Sequence, residues 1–250
     1  MFSFFRKKPI LPKSTLDFIG VDIHNHLLPG IDDGSPGVHE SLALIEVLMQ
    51  LGLKQAYTTP HVISDVHPNT PVTITQAYAQ LEQACLQKGF DRFLLGYSAE
   101  YMINYDLEQI IKNLEIIPLA QHYVLVEMSY AVESPNIKEV LFQVQTKRLR
   151  PILAHPERYP YLHRDFNLYE TLLDAGAEFQ INLLSLNGYY GKGVQKVAEK
   201  LIDRQWVNWV GTDLHHGRHL AALVALSNDK HALGYLQKIK HLRNASLARG

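Results

Sequence analysis

Two histidines and an acidic pair lie close together near the start of the chain. The stretch VDIHNHLLPGIDDG (21–34) places His24 and His26 after a short apolar run, and Asp33 follows seven residues later. Alternate residues of a strand share a face, so the two imidazoles point the same way. Imidazoles with a nearby carboxylate suit a divalent metal ion. Because the chain contains 13 histidines, His-x-His could also occur by chance, and the other segments must decide.

Residues of the same types recur along the chain. Nine histidine and acidic residues end predicted strands or begin the loops after them: His24, His26, Asp33, His61, Glu100, Glu127, His155, Asp213 and His215. The carboxyl ends of parallel strands in a barrel meet on one face. Burying these groups there without cations would cost several kcal/mol per uncompensated charge. Imidazoles mixed with carboxylates suit Mn, Fe or Zn better than Mg or Ca. The sequence therefore predicts a site for several metal ions.

Each residue also has an ordinary interpretation when it is considered alone. His61 could be a loop histidine beside a proline, and Glu100 or Glu127 could be a charge that reaches solvent from a strand end. His155 could cap the turn before Pro156. The recurrence of such residues at most of the predicted strand ends favours the metal site over these separate explanations.

Short apolar runs that alternate with helical stretches must position these residues. Seven strands are predicted, around residues 21–26, 55–61, 93–101, 122–128, 150–159, 177–183 and 206–213, where the fifth range includes the exit loop of its strand. Helical spacing of apolar residues fills the segments between them, with Pro36 opening the first helix and Gly52 and Gly89 at the ends of the first two. Continuous apolar strands separated by helices indicate an α/β fold with a parallel sheet covered on both faces. Seven such units fit a closed barrel.

Composition excludes several classes of protein. The 24 basic and 25 acidic residues create no overall charge that would favour nucleic acid. The single cysteine, Cys85, excludes an internal disulfide framework and suits a reducing cytoplasm. No apolar run is long enough to span a membrane. Residues 1–19, which include FSFFRKK, are predicted to be an N-terminal tail, and residues 20–250 a single domain.

The segments DIHNHLLPGIDDG, TTPH, SAEY, VEM, LAHPERY and GTDLHH resemble, in order, those of the PHP superfamily of polymerase and histidinol phosphatase domains. The resemblance is closest to the metal-dependent protein-tyrosine phosphatases of bacterial capsular and exopolysaccharide systems. It implies a distorted seven-stranded (β/α)7 TIM-like barrel that holds three divalent metal ions, with Mn expected first and Fe, Zn or Mg as alternatives.

The resemblance also implies a role for each site residue. The ligands of the first metal would be His24, His26, Glu100 and Asp213. Those of the second would be Glu100, Glu127 and His155, and those of the third Asp33, His61 and His215. Arg158 in HPER and Arg218 in HHGR are similar to phosphate-binding arginines, although the match at Arg218 is looser because the segment after GTDLHH is short.

The implied reaction is hydrolysis of a phosphomonoester by a metal-activated hydroxide. The implied substrate is a phosphotyrosyl protein, namely a membrane-linked bacterial tyrosine kinase of polysaccharide export. The alternatives are a small-molecule phosphatase such as a histidinol-phosphate phosphatase, an amidohydrolase-type barrel, and a non-enzymatic kinase-binding module. Cysteine-based catalysis is disfavoured because no C-x5-R loop follows Cys85. The sequence makes no prediction of oligomeric state.

Overall fold

The computed structural model describes residues 15–249, and every strand pair in this part of the chain is parallel. The strands are β1 (Val21–Asp22), β2 (Gln55–Thr58), β3 (His61–Val62), β4 (Leu94–Tyr97), β5 (Glu100–Met102), β6 (Tyr123–Glu127), β7 (Arg150–Ala154), β8 (Glu178–Asn182) and β9 (Val207–Gly211). They form a three-stranded sheet of order β1-β2-β4 and a six-stranded sheet of order β3-β5-β6-β7-β8-β9.

Helices fill most of the connections between the strands, as the apolar spacing predicted, and two more helices follow β9. They are α1 (Val38–Leu51), α2 (Pro71–Lys88), α3 (Tyr105–Lys112), α4 (Ile137–Thr146), α5 (Asn167–Asp174), α6 (Lys192–Asp203), α7 (Gly217–Leu226) and α8 (Lys230–Gln237). Gly52 and Gly89 end α1 and α2 in the left-handed conformation, which glycine adopts without strain. The α/β class with parallel sheets is therefore confirmed.

Two of the predicted strands are interrupted. The predicted strand 55–61 divides into β2 and β3, and the predicted strand 93–101 divides into β4 and β5, with the two halves of each in different sheets. Pro60 contributes to the first break because it has no N–H to donate to a ladder. The described residues thus form nine strands in two sheets, and the predicted closed barrel of seven strands is not confirmed. A continuous ladder would have required both strands to run unbroken.

Hydrogen bonds join the beginning of the chain to its last strand region. The backbone N–H of Asp213 donates to the His24 carbonyl at 2.8 Å, and that of His26 donates to the Leu214 carbonyl at 3.0 Å. These bonds place segments that are far apart in sequence side by side. The predicted ligands of both segments therefore lie at the same end of the molecule.

Apolar side chains from the two faces of the strands pack into two separate clusters. On β6, Val124 and Val126 belong to the larger cluster with the helices, whereas Tyr123 and Leu125 pack with Trp209. Because side chains alternate along a strand, Glu127 projects to the same side as Tyr123 and Leu125. The strand thus delivers a carboxylate to the interior at its carboxyl end.

The start of the described chain is packed against the domain. Leu16 and Ile19 are buried in the larger apolar cluster. Residues 1–14 of the predicted tail, including FSFFRKK, lie outside the described residues, and the division into tail and domain stays a prediction. Within residues 15–249, no helix combines the length and the apolar character needed to cross a membrane.

Candidate active site

Among the described residues, the structure brings eight of the nine predicted ligands, all except His155, into three groups whose ligand atoms lie within 4.8 Å of one another. The groups are His24, His26, Glu100 and Asp213; His61, Glu100 and Glu127; and His26, Asp33, His61 and His215. Glu100 belongs to two groups, which is the position that a bridging carboxylate would occupy. The first group contains the residues that the family resemblance implied for the first metal.

We call His24, His26, Glu100 and Asp213 the buried group, because none is more than 2% exposed. His24 Nε2 lies 3.2 Å from Glu100 Oε1 and 3.4 Å from Asp213 Oδ1. His26 Nε2 lies 3.3 Å from Asp213 Oδ1 and 3.4 Å from Glu100 Oε2. In the described part of the chain, both Nε2 atoms and Glu100 Oε2 are buried without a hydrogen-bond partner. Converging nitrogen and oxygen atoms without partners fit a divalent metal ion.

The other ring nitrogens of these histidines are held by neighbouring side chains. His24 Nδ1 lies 2.7 Å from Gln180 Oε1, and His26 Nδ1 lies 2.8 Å from Asp32 Oδ2. An acceptor at Nδ1 fixes the tautomer that leaves the Nε2 lone pair free for a metal ion. Sequence reasoning assigned no role to Gln180, which carries no strand-end signal. It chose Asp33 rather than Asp32 from the acidic pair.

His155 and Asp213 are placed by unusual backbone conformations. Both have a positive φ, 37° at His155 and 48° at Asp213, although neither is glycine. Such conformations cost about 1–3 kcal/mol each and persist where the surrounding structure requires them. At the end of β7, the turn brings His155 Nε2 to 2.9 Å from Glu100 Oε1 and 4.0 Å from Glu127 Oε2. His155 is therefore next to the carboxylates with which the resemblance grouped it.

We call Asp33, His61 and His215 the open group, because the Asp33 side chain is 60% exposed. Asp33 Oδ1 lies 3.6 Å from His61 Nε2 and 3.5 Å from His215 Nε2. His61 also approaches the second group, since its Nδ1 lies 2.8 Å from Glu127 Oε1. His67, which sequence reasoning did not select, lies 3.8 Å from the same Asp33 oxygen. Its signal was a second histidine in the loop after TTPH.

The carboxylates of the site attract positive charge strongly. Burial and the neighbouring His26 lower the pKa of His61, but the Glu100 and Glu127 carboxylates outweigh them and raise it to about 10. Burial, together with the charge of Glu100, raises the pKa of Glu127 to about 7. Both shifts favour the protonated forms of His61 and Glu127. Divalent ions would displace these protons, as they do when metals bind to ionisable ligands.

A pocket of about 290 Å³ lies beside the predicted ligands and is lined by several of them. Its lining residues are Asp33, His61, Tyr130, His155, Arg158, Asp213, His215, His216 and His219. Arg158 lies in a short 3₁₀ turn, Pro156–Arg158, directly after His155, and its Nη1 donates to Asp213 Oδ2 at 2.8 Å. Arg158 is therefore at the site where the resemblance placed it.

Arg218 lies elsewhere. It is exposed in the first turn of α7 and is not among the lining residues of the pocket, whereas its neighbours His216 and His219 are. The phosphate-binding role of Arg218 stays a prediction. Sequence reasoning missed both histidines, whose only signal was the histidine-rich run HHGRH. A larger cavity of about 420 Å³ between α2 and α3 contains none of the predicted site residues.

Comparisons with known proteins match most of the chain. Residues 20–238 match the family described as capsular polysaccharide synthesis, CpsB/CapC. The tyrosine-protein phosphatase YwqE of Bacillus subtilis is 26% identical over 197 residues, which cover 78% of this chain and 77% of YwqE. The tyrosine-protein phosphatase CpsB of Streptococcus pneumoniae is 26% identical over 202 residues, which cover 78% of this chain and 83% of CpsB.

A solved structure from work on YwqE and CpsB, described as metal-dependent tyrosine phosphatases, has a similar fold. The TM-score is 0.75 at 24% sequence identity, and the match covers 90% of this chain and 94% of the other. The predicted resemblance to this group of phosphatases is therefore confirmed.

Proposed function

Since the chain belongs to the capsular polysaccharide synthesis CpsB/CapC family, we propose that it is a metal-dependent protein-tyrosine phosphatase. The observation that carries this proposal is the buried group, in which nitrogen and oxygen atoms converge without hydrogen-bond partners in the described residues. An arginine that contacts the same group lies in the wall of a pocket above it. Cationic centres and an arginine beside a pocket are what hydrolysis of a phosphomonoester requires.

We propose that three divalent ions bind with the ligand sets implied by the resemblance. The first is held by His24, His26, Glu100 and Asp213, the second by Glu100, Glu127 and His155, and the third by Asp33, His61 and His215. Manganese is the first candidate, and Fe, Zn and Mg are the alternatives. Bound there, the ions would polarise the phosphoryl group and make hydroxide available near neutral pH.

Arg158 is the residue of this chain that we expect to orient the phosphoryl group. Its Nη1 donates to Asp213, and the structure shows no other hydrogen bond of the guanidinium within residues 15–249. The remaining N–H groups form a fork that matches two phosphoryl oxygens at once. Phenolate, whose conjugate acid has a pKa near 10, leaves more readily than an alkoxide, which favours phosphotyrosine as substrate. Arg218, which is exposed and does not line the pocket, would then contact the anionic substrate at a point farther from the buried group.

The substrate that we propose is a phosphotyrosyl protein, in particular a bacterial tyrosine kinase of polysaccharide export. This proposal rests on the family and on the activity in the names of YwqE and CpsB. A location in the cytoplasm and the absence of nucleic-acid or membrane partners are proposed from the composition.

For the fold, we propose a distorted seven-stranded barrel in which each interrupted strand counts once. The hydrogen bonds from Asp213 to His24 and from His26 to Leu214 support it, because they join the first and last strand regions.

The decisive experiment compares two substrates on the same protein. Chelator-stripped protein, with and without added Mn²⁺, is given a phosphotyrosyl peptide or histidinol phosphate, and phosphate release is measured. Metal-dependent release that favours the peptide is expected. Release that favours histidinol phosphate would instead indicate a small-molecule phosphatase. Absence of release from both, with metal bound, would leave a non-enzymatic binding module and overturn the proposal.

A further inference from the structure

Arg158 lies between two tyrosine rings. Its guanidinium carbon is 4.6 Å from the ring centroid of Tyr130 and 4.1 Å from that of Tyr190. Both distances are within the range of a cation–π contact. The hydrogen bond to Asp213 holds the same guanidinium. Contacts with two rings and one carboxylate restrict the directions in which its free N–H groups can point.

The two tyrosines differ in what they present to the pocket. Tyr130, in the loop after β6, is 42% exposed and lines the pocket. Tyr190, in the loop before α6, is only partly exposed and is not a lining residue. In the part of the chain that the structure describes, its hydroxyl is buried without a hydrogen-bond partner. Only Tyr130 is therefore placed to contact both Arg158 and a molecule in the pocket.

The chemistry of the pocket wall makes Tyr130 distinctive. Of the nine lining residues in the described chain, eight are histidine, aspartate or arginine, and Tyr130 is the remaining one. The Tyr130 ring also lies beside the buried ring of Tyr159. The Tyr159 ring centroid lies 5.7 Å away, and the Tyr159 hydroxyl accepts from the Met128 N–H at 2.9 Å and donates to the Ala154 carbonyl at 3.0 Å. Because Tyr159 is buried and hydrogen-bonded, it limits how far the Tyr130 ring can move.

We propose that Tyr130 is a specificity-determining residue that packs against the aromatic ring of the substrate, and that Tyr190 is a positioning residue for Arg158. The inference rests on the proposed function, because it assumes that a phosphoryl group binds beside Arg158. An aryl group joined to that phosphoryl group through one oxygen must lie along the pocket wall. Tyr130 offers the aromatic surface there, and aromatic pairs attract each other beyond simple burial. An alkyl ester would gain less from this contact.

The test measures binding rather than turnover. Calorimetric titration of the Mn²⁺-loaded protein with phenylphosphonate and with methylphosphonate compares an aryl and an alkyl ligand that are not hydrolysed. The parent protein is expected to bind phenylphosphonate more tightly. Tyr130→Leu also removes a ring contact of Arg158, so it should weaken both ligands, but it should weaken phenylphosphonate binding about tenfold more than methylphosphonate binding. Tyr130→Phe keeps the ring and should retain the preference. Tyr105→Leu, a 71% exposed tyrosine outside the pocket, is the matched control.

Tyr190 is tested through the residue on which it acts. Tyr190→Leu should weaken binding of both phosphonates by a similar factor, because it disturbs Arg158 and not the aryl contact. In an Arg158→Ala background, Tyr190→Leu should have no further effect, since residues that act through one another are not additive. A further loss in that background would overturn the positioning role. Thermal unfolding of each variant separates these outcomes from loss of structure.

The outcomes distinguish this inference from the proposed function. If Tyr130→Leu weakens both phosphonates equally, or if Tyr130→Phe loses as much as Tyr130→Leu, the specificity role is wrong even where the phosphotyrosyl peptide is hydrolysed. If the parent protein binds phenylphosphonate with the expected preference but hydrolyses no phosphotyrosyl peptide, the proposed function fails and the aromatic contact stands.

Discussion

The buried group and the open group use the same types of side chain but hold them differently. In the buried group, the Nδ1 atoms of His24 and His26 are each fixed by an acceptor, and Asp213 is set by a left-handed backbone. In the open group, Asp33 is mostly exposed, and its oxygen lies no closer than 3.5 Å to a histidine nitrogen. The first group is preorganised, whereas the second can rearrange at little cost.

This difference predicts an order of metal affinity. Removing a ligand from the buried group leaves charged or polar atoms without solvent, which is costly. Removing one from the open group leaves atoms that water can reach. An ion at the buried group should therefore be the last to leave on chelation, and an ion at the open group the first.

The largest effect is expected for Asp213→Asn. Asp213 contacts both histidines of the buried group and accepts from Arg158, so a neutral amide would remove the negative charge that attracts a metal ion and would weaken the arginine contact. Turnover should fall at least about a hundredfold, and added metal should not restore it. Steady-state kinetics at rising Mn²⁺ and metal content by mass spectrometry measure both effects. Near-normal turnover with metal bound would show that the buried group is not the centre of the site.

The next largest effect, on stability and not on turnover, is expected for Gly211→Ala, at the end of β9. A Cβ there would lie 2.6 Å from His24 Cβ and 3.0 Å from Gln180 Nε2. The clash should displace His24 from its acceptor and lower the free energy of unfolding by about 1–3 kcal/mol. Denaturant unfolding with and without metal measures the loss. Gly193→Ala in α6, where a Cβ meets nothing within 4 Å, is the control and should be neutral or slightly stabilising. Equal behaviour of the two variants would contradict the prediction.

Asp33→Asn should have a milder effect that excess metal reverses. The variant removes one charge from the exposed side of the open group, so the affinity for its ion should fall about tenfold. Activity lost at low Mn²⁺ should then return at high Mn²⁺, in contrast to Asp213→Asn. A metal titration of turnover for the two variants side by side provides the test. If Asp33→Asn also resisted rescue, the proposed contrast between the groups would be wrong.

The positions of the site residues in the fold explain which of them could be predicted from the sequence. The nine predicted ligands could be selected because parallel strands bring their carboxyl ends together, so residue type at a strand end was the signal. Gln180 was missed because nothing in the sequence distinguishes it from a residue of β8 with a purely structural role. Only the folded structure shows that it lies beside His24. On α7, Arg218 and His219 are neighbours in sequence, but consecutive helical side chains point about 100° apart. Which of them lines the pocket depends on where the helix begins, and sequence defines that poorly.

The interrupted strands could not be predicted for a related reason. The segments 55–61 and 93–101 were each predicted as one strand, and although Pro60 favours a break in the first, neither segment specifies that its halves pair in different sheets. Pairing is decided by partners far along the chain, such as Leu125, which pairs with Glu100. The type of element was therefore predictable from local pattern, but its division between two sheets was not.

The smallest effect is expected for Cys85→Ser, which lies away from both groups. Cys85 is buried in α2 among apolar side chains, and burial first, with the charge of Glu82, raises the pKa of its thiol to about 11. It is therefore protonated near neutral pH and unsuited to nucleophilic attack. Turnover of a phosphotyrosyl peptide should be unchanged, while the hydroxyl should lower the free energy of unfolding by about 1 kcal/mol because a polar group replaces a small apolar one. Parallel measurement of turnover and denaturant unfolding checks both parts. Loss of most turnover in a folded, metal-loaded variant would place the chemistry at the cysteine and remove the basis for comparing the two groups.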